Sequence, residues 1–375
     1  MEVGIFTFWT SKDNYGQALQ SYALQKFLNN QENVHAEVIR YYASKLPFSC
    51  RVKSFVKRLL LSVFPIIDKK AYEINKKVTE RNFEKFKKCN INYSSHILYG
   101  KLALDKFCEK YDVLIAGSDQ VWSMMLDNPM NSVYYLDFGN SNQTRISYAA
   151  SFGLHTYPLH LKNELKKQLS RFDFVSVREK DGVDICRDCG IDAVHVLDPT
   201  LLLDKSVYEK FLLRKNSVPY TFMYVLNIND GNDINWAELR KSIKTRRIVG
   251  TNGSGYTQSQ IVLDGVEYEN STIEQWLSNI AYAESVVTTS FHGVVFSIVF
   301  EKNFVYIPLK GKYSQSNNRV VSLLSLLGLE SQILNSETKM NDVFGNSIDY
   351  LKVKQKLKDL RKKSISFLMG GLQIK

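Results

Sequence analysis

The sequence predicts an α/β protein of two Rossmann-like domains in tandem. Three observations predict it. The chain has 375 residues, more than most single cores hold and enough for two. Short apolar runs such as Val113-Leu114-Ile115-Ala116 read as strands buried on both faces, as parallel sheets demand. These runs alternate with helical stretches, and the alternation restarts after a break near residues 203–218.

Val3 to Phe8 is the first strand. A helix follows from about Gly16 to Leu28, with Leu19, Tyr22, Ala23 and Phe27 on its buried face. Asn14, Tyr15 and Gly16 therefore lie at a strand-to-helix turn. Asn14 can cap the helix, and Gly16 lets a ligand approach the backbone. A plain well-capped turn explains the same residues. Glu37 to Tyr42 is the second strand.

Arg51 to Lys70 is an amphipathic helix with Arg51, Lys53, Lys57 and Arg58 on its polar side. Such a helix can lie on an anionic bilayer, pack on the core or serve an interface. The region 51–92 reads as a helical insertion. The strand ending at Ala116 opens into Gly117-Ser118-Asp119-Gln120-Val121-Trp122. Asp119 and Gln120 suit the hydroxyls of a polyol, Trp122 offers a flat face, and Asp119 can act as a general base. Equally, Asp119 caps a helix and Trp122 packs. Phe174 to Val177 delivers Arg178-Glu179 at its carboxyl end. Arg178 is a fork for a carboxylate or phosphate, or the partner of a neighbouring acid. Asp198-Pro199-Thr200 reads as a stop signal after a short strand.

The second alternation begins at Tyr220. Gly250 to Gly255 is a flexible loop without a dinucleotide fingerprint. Ser285 to Thr289 is a strand, Ser290 caps the next helix, and His292 falls in its first turn with Gly293 beside it. Helix N-termini at this sheet edge hold anions, and a histidine there can move a proton. The loop after the next strand carries Lys310 and Lys312, with Arg319 just beyond. Asp349 to Phe367 is a basic C-terminal helix. The division is thus 1–203, 204–345 and 346–375. Two such domains facing across a cleft make a GT-B-like architecture.

The formal charge of +11 fits an anionic substrate, nucleic acid or an acidic membrane, but the basic residues are spread over several helices with no nucleic-acid module. Five cysteines without disulfide spacing, no leader-like N-terminus and no apolar run of about 18–20 residues point to the cytoplasm, with peripheral contact at the membrane's inner face through 51–70. The single Cys186-Arg187-Asp188-Cys189 pair lacks the second ligand pair that zinc needs, and His195 is one candidate only. No metal is expected.

Six stretches in order resemble one family: Asn14-Tyr15-Gly16 with Leu19 to Gln25, Gly117 to Trp122, Tyr148 to Gly153, Ser176-Val177-Arg178-Glu179, Leu197 to Leu202, and Ser290-Phe291-His292-Gly293. Together they resemble the polysaccharide pyruvyl transferases. The resemblance implies transfer of a pyruvyl group from phosphoenolpyruvate to a sugar of a capsule, exopolysaccharide or cell-wall polymer, with no cofactor. It implies His292 as the proton-transferring acid. Arg178, Arg319, Lys310, Lys312, Ser290 and Gly293 fall to the donor side. Asn14, Tyr15, Gly16, Gln120 and Trp122 fall to the acceptor side or the cleft, with Asp119 as a catalytic partner. Better-known members carry arginine where this chain has Ser290, so another cation is needed or the donor differs. A glycosyltransferase using a nucleotide sugar on the loop near Gly253, and a glycan-binding relative without catalysis, are the alternatives. The acceptor, lipid-linked or free, and the oligomeric state are open.

Overall fold

The computed structural model describes residues 1–11, 13–42, 80–123, 133–213, 218–228, 234–253, 263–335 and 340–373. The amphipathic stretch Arg51–Lys70 lies outside them. The first sheet contains β1 (Glu2–Phe6), β2 (His35–Val38), β5 (Val113–Ala116), β6 (Thr144–Ala150), β7 (Phe174–Val177) and β8 (Val194–His195), in the order β2-β1-β5-β6-β7-β8. A two-stranded ladder of β3 (Tyr41–Tyr42) and β4 (Leu98–Tyr99) stands beside it. The second sheet contains β9 (Tyr220–Tyr224), β10 (Arg247–Thr251), β11 (Glu267–Glu269), β12 (Ser285–Thr288) and β13 (Asn303–Tyr306), in the order β11-β10-β9-β12-β13. Every pairing is parallel.

All strand ends of one sheet therefore open on one edge. The strand order reverses between β1 and β5 in the first sheet and between β9 and β12 in the second. Crevices for ligands form at such points. Asp119 follows β5, and His292 follows β12, so each lies at the reversal of its own sheet.

Glu37 to Tyr42 is not one strand. β2 ends at Val38, and Tyr41–Tyr42 leaves the large sheet to pair with β4. The helix at Phe83–Asn90, in the region read as an insertion, is no appendage. Phe83 packs on Tyr15 at 4.9 Å, and Phe86 meets Tyr22 at 6.1 Å and Phe211 at 5.2 Å. Just before it, Arg81 is 5% exposed and donates to Asn270 Oδ1 at 2.6 Å and the Asn252 carbonyl at 2.7 Å. This segment therefore joins the two sheets.

One apolar core runs through both domains. Tyr15 from the first helix stacks on Trp276 from the second unit at 5.0 Å and 10°, and its hydroxyl donates to the Ser271 carbonyl at 2.6 Å. The helix Tyr350–Leu372 returns to the first sheet. Ser364 Oγ accepts from the Leu197 amide at 2.9 Å, and Arg361 Nε donates to the Leu201 carbonyl at 2.8 Å. A Cβ at Gly371 would stand 2.6 Å from Ile146 Cδ1, so the glycine lets this helix lie against β6 without moving that side chain. Among the described residues, no helix is long and apolar enough to cross a membrane.

Candidate active site

The site grows out of irregularities in the first sheet. Beyond β5 the chain turns at Gly117 (φ +115°), where a Cβ would stand 2.3 Å from the Tyr148 carbonyl. Asp119 takes φ +80°, a region that L residues seldom enter. Its carbonyl receives the Ser151 amide at 2.9 Å, so β5 and β6 stay linked past their ends. β6 itself slips register between Ser147 and Ala150, with Ala149 at φ +49°. That bulge re-aims the edge towards Arg178.

Arg178 is the centre of a buried ion network. Its side chain is 1% exposed, with Nη1 2.9 Å from Asp198 Oδ2 and Nη2 3.2 Å from Asp119 Oδ1. Both terminal nitrogens thus serve internal carboxylates. Of the two fates the sequence leaves open for Arg178, the structure has the ion pair, and its partners are Asp198 and Asp119 rather than the adjacent Glu179. Asp119 is correspondingly no free base: its carboxylate is tied to Arg178.

Asp198 is fully buried. Its Oδ1 accepts from Thr200 N at 3.0 Å and Thr200 Oγ1 at 2.6 Å, and its Oδ2 accepts from Ser118 Oγ at 3.2 Å as well as from Arg178. Burial pushes its carboxyl up, but His292, Arg178 and the Thr200 hydroxyl outweigh it and hold it well below the usual carboxylate range. The run read as a stop signal is therefore a hub of the site.

His292 reaches this hub from the second domain. Ser290 Oγ accepts from the Gly293 amide at 3.4 Å and caps the helix Phe291–Val299. The imidazole then lies against the first turn of the first helix, where a Cβ on Gly16 would stand 2.0 Å from Nδ1. Gly16 thus makes room for His292, not for a ligand. Nε2 is buried, makes no hydrogen bond among the described residues and faces Asp198 Oδ2 at 3.7 Å. Gly293 leaves space for Thr288 rather than for a donor, since a Cβ there would meet Thr288 Oγ1 at 2.2 Å.

Two further groups complete the cluster. Glu179 is fully buried; Oε1 accepts from Ser151 Oγ and Phe152 N at 2.9 Å and from Gly153 N at 3.2 Å, while Oε2 has no hydrogen-bond partner among the described residues. Burial raises its pKa, and Arg178 and Arg319 offset that only in part. Arg319 donates Nε to the Ser316 carbonyl at 3.3 Å and, among the described residues, makes no ion pair. Burial and the like charge of Arg178 bring it down to about 10. The Phe291 ring lies 4.5 Å from the Arg178 guanidinium and 5.8 Å from that of Arg319.

The structure does not bring the remaining predicted residues into the cluster as ligands. Tyr15 and Trp122 have no exposed face; the Trp122 indole donates to the Tyr134 carbonyl at 3.0 Å and stacks on Tyr135. Asn14 Oδ1 caps its helix by accepting from Gln17 N at 3.1 Å. Gln120 is half-buried with its amide laid over Gly153. Lys310 and Lys312 are exposed, and Lys312 lies over Tyr313. At the loop near Gly253, the carbonyls of Asn252 and Gly253 accept from Arg81, and Leu226 fills the space a Gly253 side chain would take. Those carbonyls are poorly matched to a diphosphate. Cys186 and Cys189 are buried free thiols whose pKa values burial raises, and His195 Nε2 is engaged with the Arg178 carbonyl at 3.0 Å.

Two parallel sheets whose reversal points face each other, with an imidazole and arginines between them, define a GT-B-like architecture. The sequence matches the family described as polysaccharide pyruvyl transferase over residues 14–311, well over half of the chain. The chain belongs to that family, which makes it a transferase of polysaccharide biosynthesis with a sugar or polysaccharide acceptor. No curated protein matches it. Among solved structures it is similar to a UDP-GlcNAc 2-epimerase from Neisseria meningitidis bound to UDP-GlcNAc, with TM-score 0.52 and 9% identity over 99% of this chain and 100% of that one. It is also similar to an S. aureus MnaA–UDP co-structure (TM-score 0.49, 11% identity, covering 100% and 97%) and to the glycosyltransferase SnogD from Streptomyces nogalater (0.41, 8%, covering 98% and 96%). At 9% identity the first of these likenesses speaks for the fold alone.

Proposed function

We propose that the protein transfers a pyruvyl group from phosphoenolpyruvate to two hydroxyls of one sugar in a surface polysaccharide or its precursor, forming a cyclic ketal. The observation that carries this reading is that, among the described residues, the buried His292 imidazole makes no hydrogen bond on Nε2 while Arg319, 5.8 Å from the ring of the adjacent Phe291, makes no ion pair. Arg319 and the amides at the start of the Phe291–Val299 helix suit the carboxylate and phosphate of the donor. Arg319 thus takes the part that the resemblance gives to an arginine at the position of Ser290. Arg178 acts behind them by keeping Asp198 anionic.

The chemistry then needs few parts. His292 delivers a proton to the methylene carbon, which becomes the methyl group. One sugar hydroxyl adds to the neighbouring carbon, the second displaces phosphate, and the ring closes. Of the two hydroxyl protons released, one replaces that lost by His292 and one leaves with phosphate. Asp198, 3.7 Å from Nε2, faces the proton that His292 carries.

The test is phosphate release from phosphoenolpyruvate that depends on an added glycan, and its loss in His292→Ala. Thermal stabilisation by nucleotide sugars without any by phosphoenolpyruvate would sink the reading.

A further inference from the structure

With Trp122 buried, the flat face for a sugar must come from elsewhere, and the same edge of the first sheet supplies it. Trp9, three residues beyond β1, is half-buried. Tyr42 and Tyr99 are direct partners in the β3–β4 ladder, so their side chains emerge on one face. The Tyr42 ring stacks on Tyr99 at 5.8 Å and 25° and meets the Trp9 indole edgewise at 5.0 Å. Tyr42 is nevertheless 42% exposed.

Trp9 is held in place by internal bonds. Trp9 Nε1 donates to the Tyr41 carbonyl at 3.0 Å. Lys87, with its side chain 6% exposed, donates to the carbonyls of Trp9 at 3.4 Å and Ser11 at 2.7 Å. With its N–H engaged, Trp9 offers a ligand only its face. A rigid, contiguous aromatic patch beside an active-site edge is a recognition surface, and the axial C–H face of a pyranose is its natural complement.

Its place on the edge says which sugar it takes. The ladder leaves the sheet at the end of β2, and in the order β2-β1-β5 two strand spacings separate β2 from β5, whose edge carries Ser118 and, through Asp198, meets His292. At about 4.8 Å each, that is roughly 10 Å, beyond the span of one pyranose. We propose that Trp9, Tyr42 and Tyr99 form a stacking platform for a sugar of the acceptor chain further along from the residue that receives the pyruvyl group. The proposal rests on the reading of the acceptor as a glycan and adds that the enzyme selects chains over single sugars.

Saturation-transfer NMR on the full chain, without phosphoenolpyruvate, tests it. The probes are monosaccharides and tetrasaccharides of galactose, glucose, mannose and N-acetylglucosamine. Irradiating aromatic protons is expected to transfer to ring C–H protons of at least one tetrasaccharide, more strongly than to its monosaccharide. Trp9→Ala with Tyr42→Ala removes the transfer, while Trp9→Phe with Tyr42→Phe keeps it. In turnover, the alanine pair raises the tetrasaccharide KM by about tenfold and erases its advantage over the monosaccharide. Transfer to no saccharide, or transfer that survives the alanine pair, overturns the platform. So does binding to vesicles of anionic phospholipid that the alanine pair abolishes while no saccharide binds, since the patch would then face a membrane. Saccharide binding without any use of phosphoenolpyruvate would leave the platform standing and sink the pyruvyl reading. Ketal formation with tetrasaccharide kinetics untouched by the alanine pair would do the reverse.

Discussion

At the residue scale, His292 is governed by Gly16, which belongs to the other domain. Any side chain at position 16 must displace the imidazole, because its Cβ would stand 2.0 Å from Nδ1. Gly16→Ala is therefore expected to lower kcat by about a hundredfold, the scale of loss for a misplaced catalytic group, with little change in the melting curve. Equal loss of kcat and stability would mean the contact is merely packing. Glu179 gives a prediction in pH. Its folded carboxyl holds a proton more firmly than the unfolded one. Its contribution to stability is thus full below the unfolded value of about 4.3 and is lost as pH rises through the folded value. Glu179→Gln keeps an oxygen for Ser151, Phe152 and Gly153 and removes that loss. Denaturant titrations at a series of pH values should show the variant gaining on the wild type as pH rises. Asp198 has the opposite sign. Its folded value is depressed, so its stabilisation is present above the unfolded value of about 3.9 and fades as the solution is acidified below it. Asp198→Asn should flatten the acid limb.

At the element scale, the strands and their edge were legible because a doubly covered parallel strand must be apolar, as Val113–Ala116 is throughout and Ser285–Thr288 is at its centre. The cap at Ser290 was legible for a local reason too, since it depends on residues three apart. What escaped was what depends on partners far along the chain. Asp198 looked like punctuation because Asp-Pro also stops a strand; its ties to Ser118, Arg178 and His292 span the two domains. Glycines misled in the same way. Gly16 and Gly293 mark close approaches, and the sequence cannot say that what approaches is His292 and Thr288 rather than a ligand. Trp122 and Tyr15 failed as sugar readers because aromatic residues fill cores more often than they line sites. The segment before Phe83 shows the same limit. Arg81 falls within the stretch 51–92 read as a helical insertion, yet it ties the first domain to Asn252, Gly253 and Asn270. Removing it as Arg81→Ala loses all three of these part-buried hydrogen bonds from a charged donor. A cost of about 2–4 kcal/mol is expected by urea unfolding, and a value under about 0.5 would refute the clamp.

At the scale of the whole molecule, the two domains do not have separate cores. Tyr15, Tyr22 and Phe83 from the first unit share one apolar cluster with Tyr224, Trp276 and Phe296 from the second. The helix Tyr350–Leu372 leaves the second unit and finishes on Ile146 and Phe174 of the first sheet. Chains of this length with two domains usually unfold in steps, because each core melts alone. Here neither sheet can lose its neighbour without baring the Tyr15–Trp276 stack, so calorimetry should give one transition, with calorimetric and van't Hoff enthalpies equal. Tyr15→Ala removes a buried ring and the hydrogen bond to Ser271, at about 3–5 kcal/mol. It should split that single peak into two by uncoupling the units, while Tyr15→Phe, which keeps the stack and loses only the hydroxyl, should leave it whole. Two well-separated transitions in the wild type would show that the shared core does not couple the domains. The position of His292 over Gly16 would then depend on the ligand bound between them and not on the packing of the free protein.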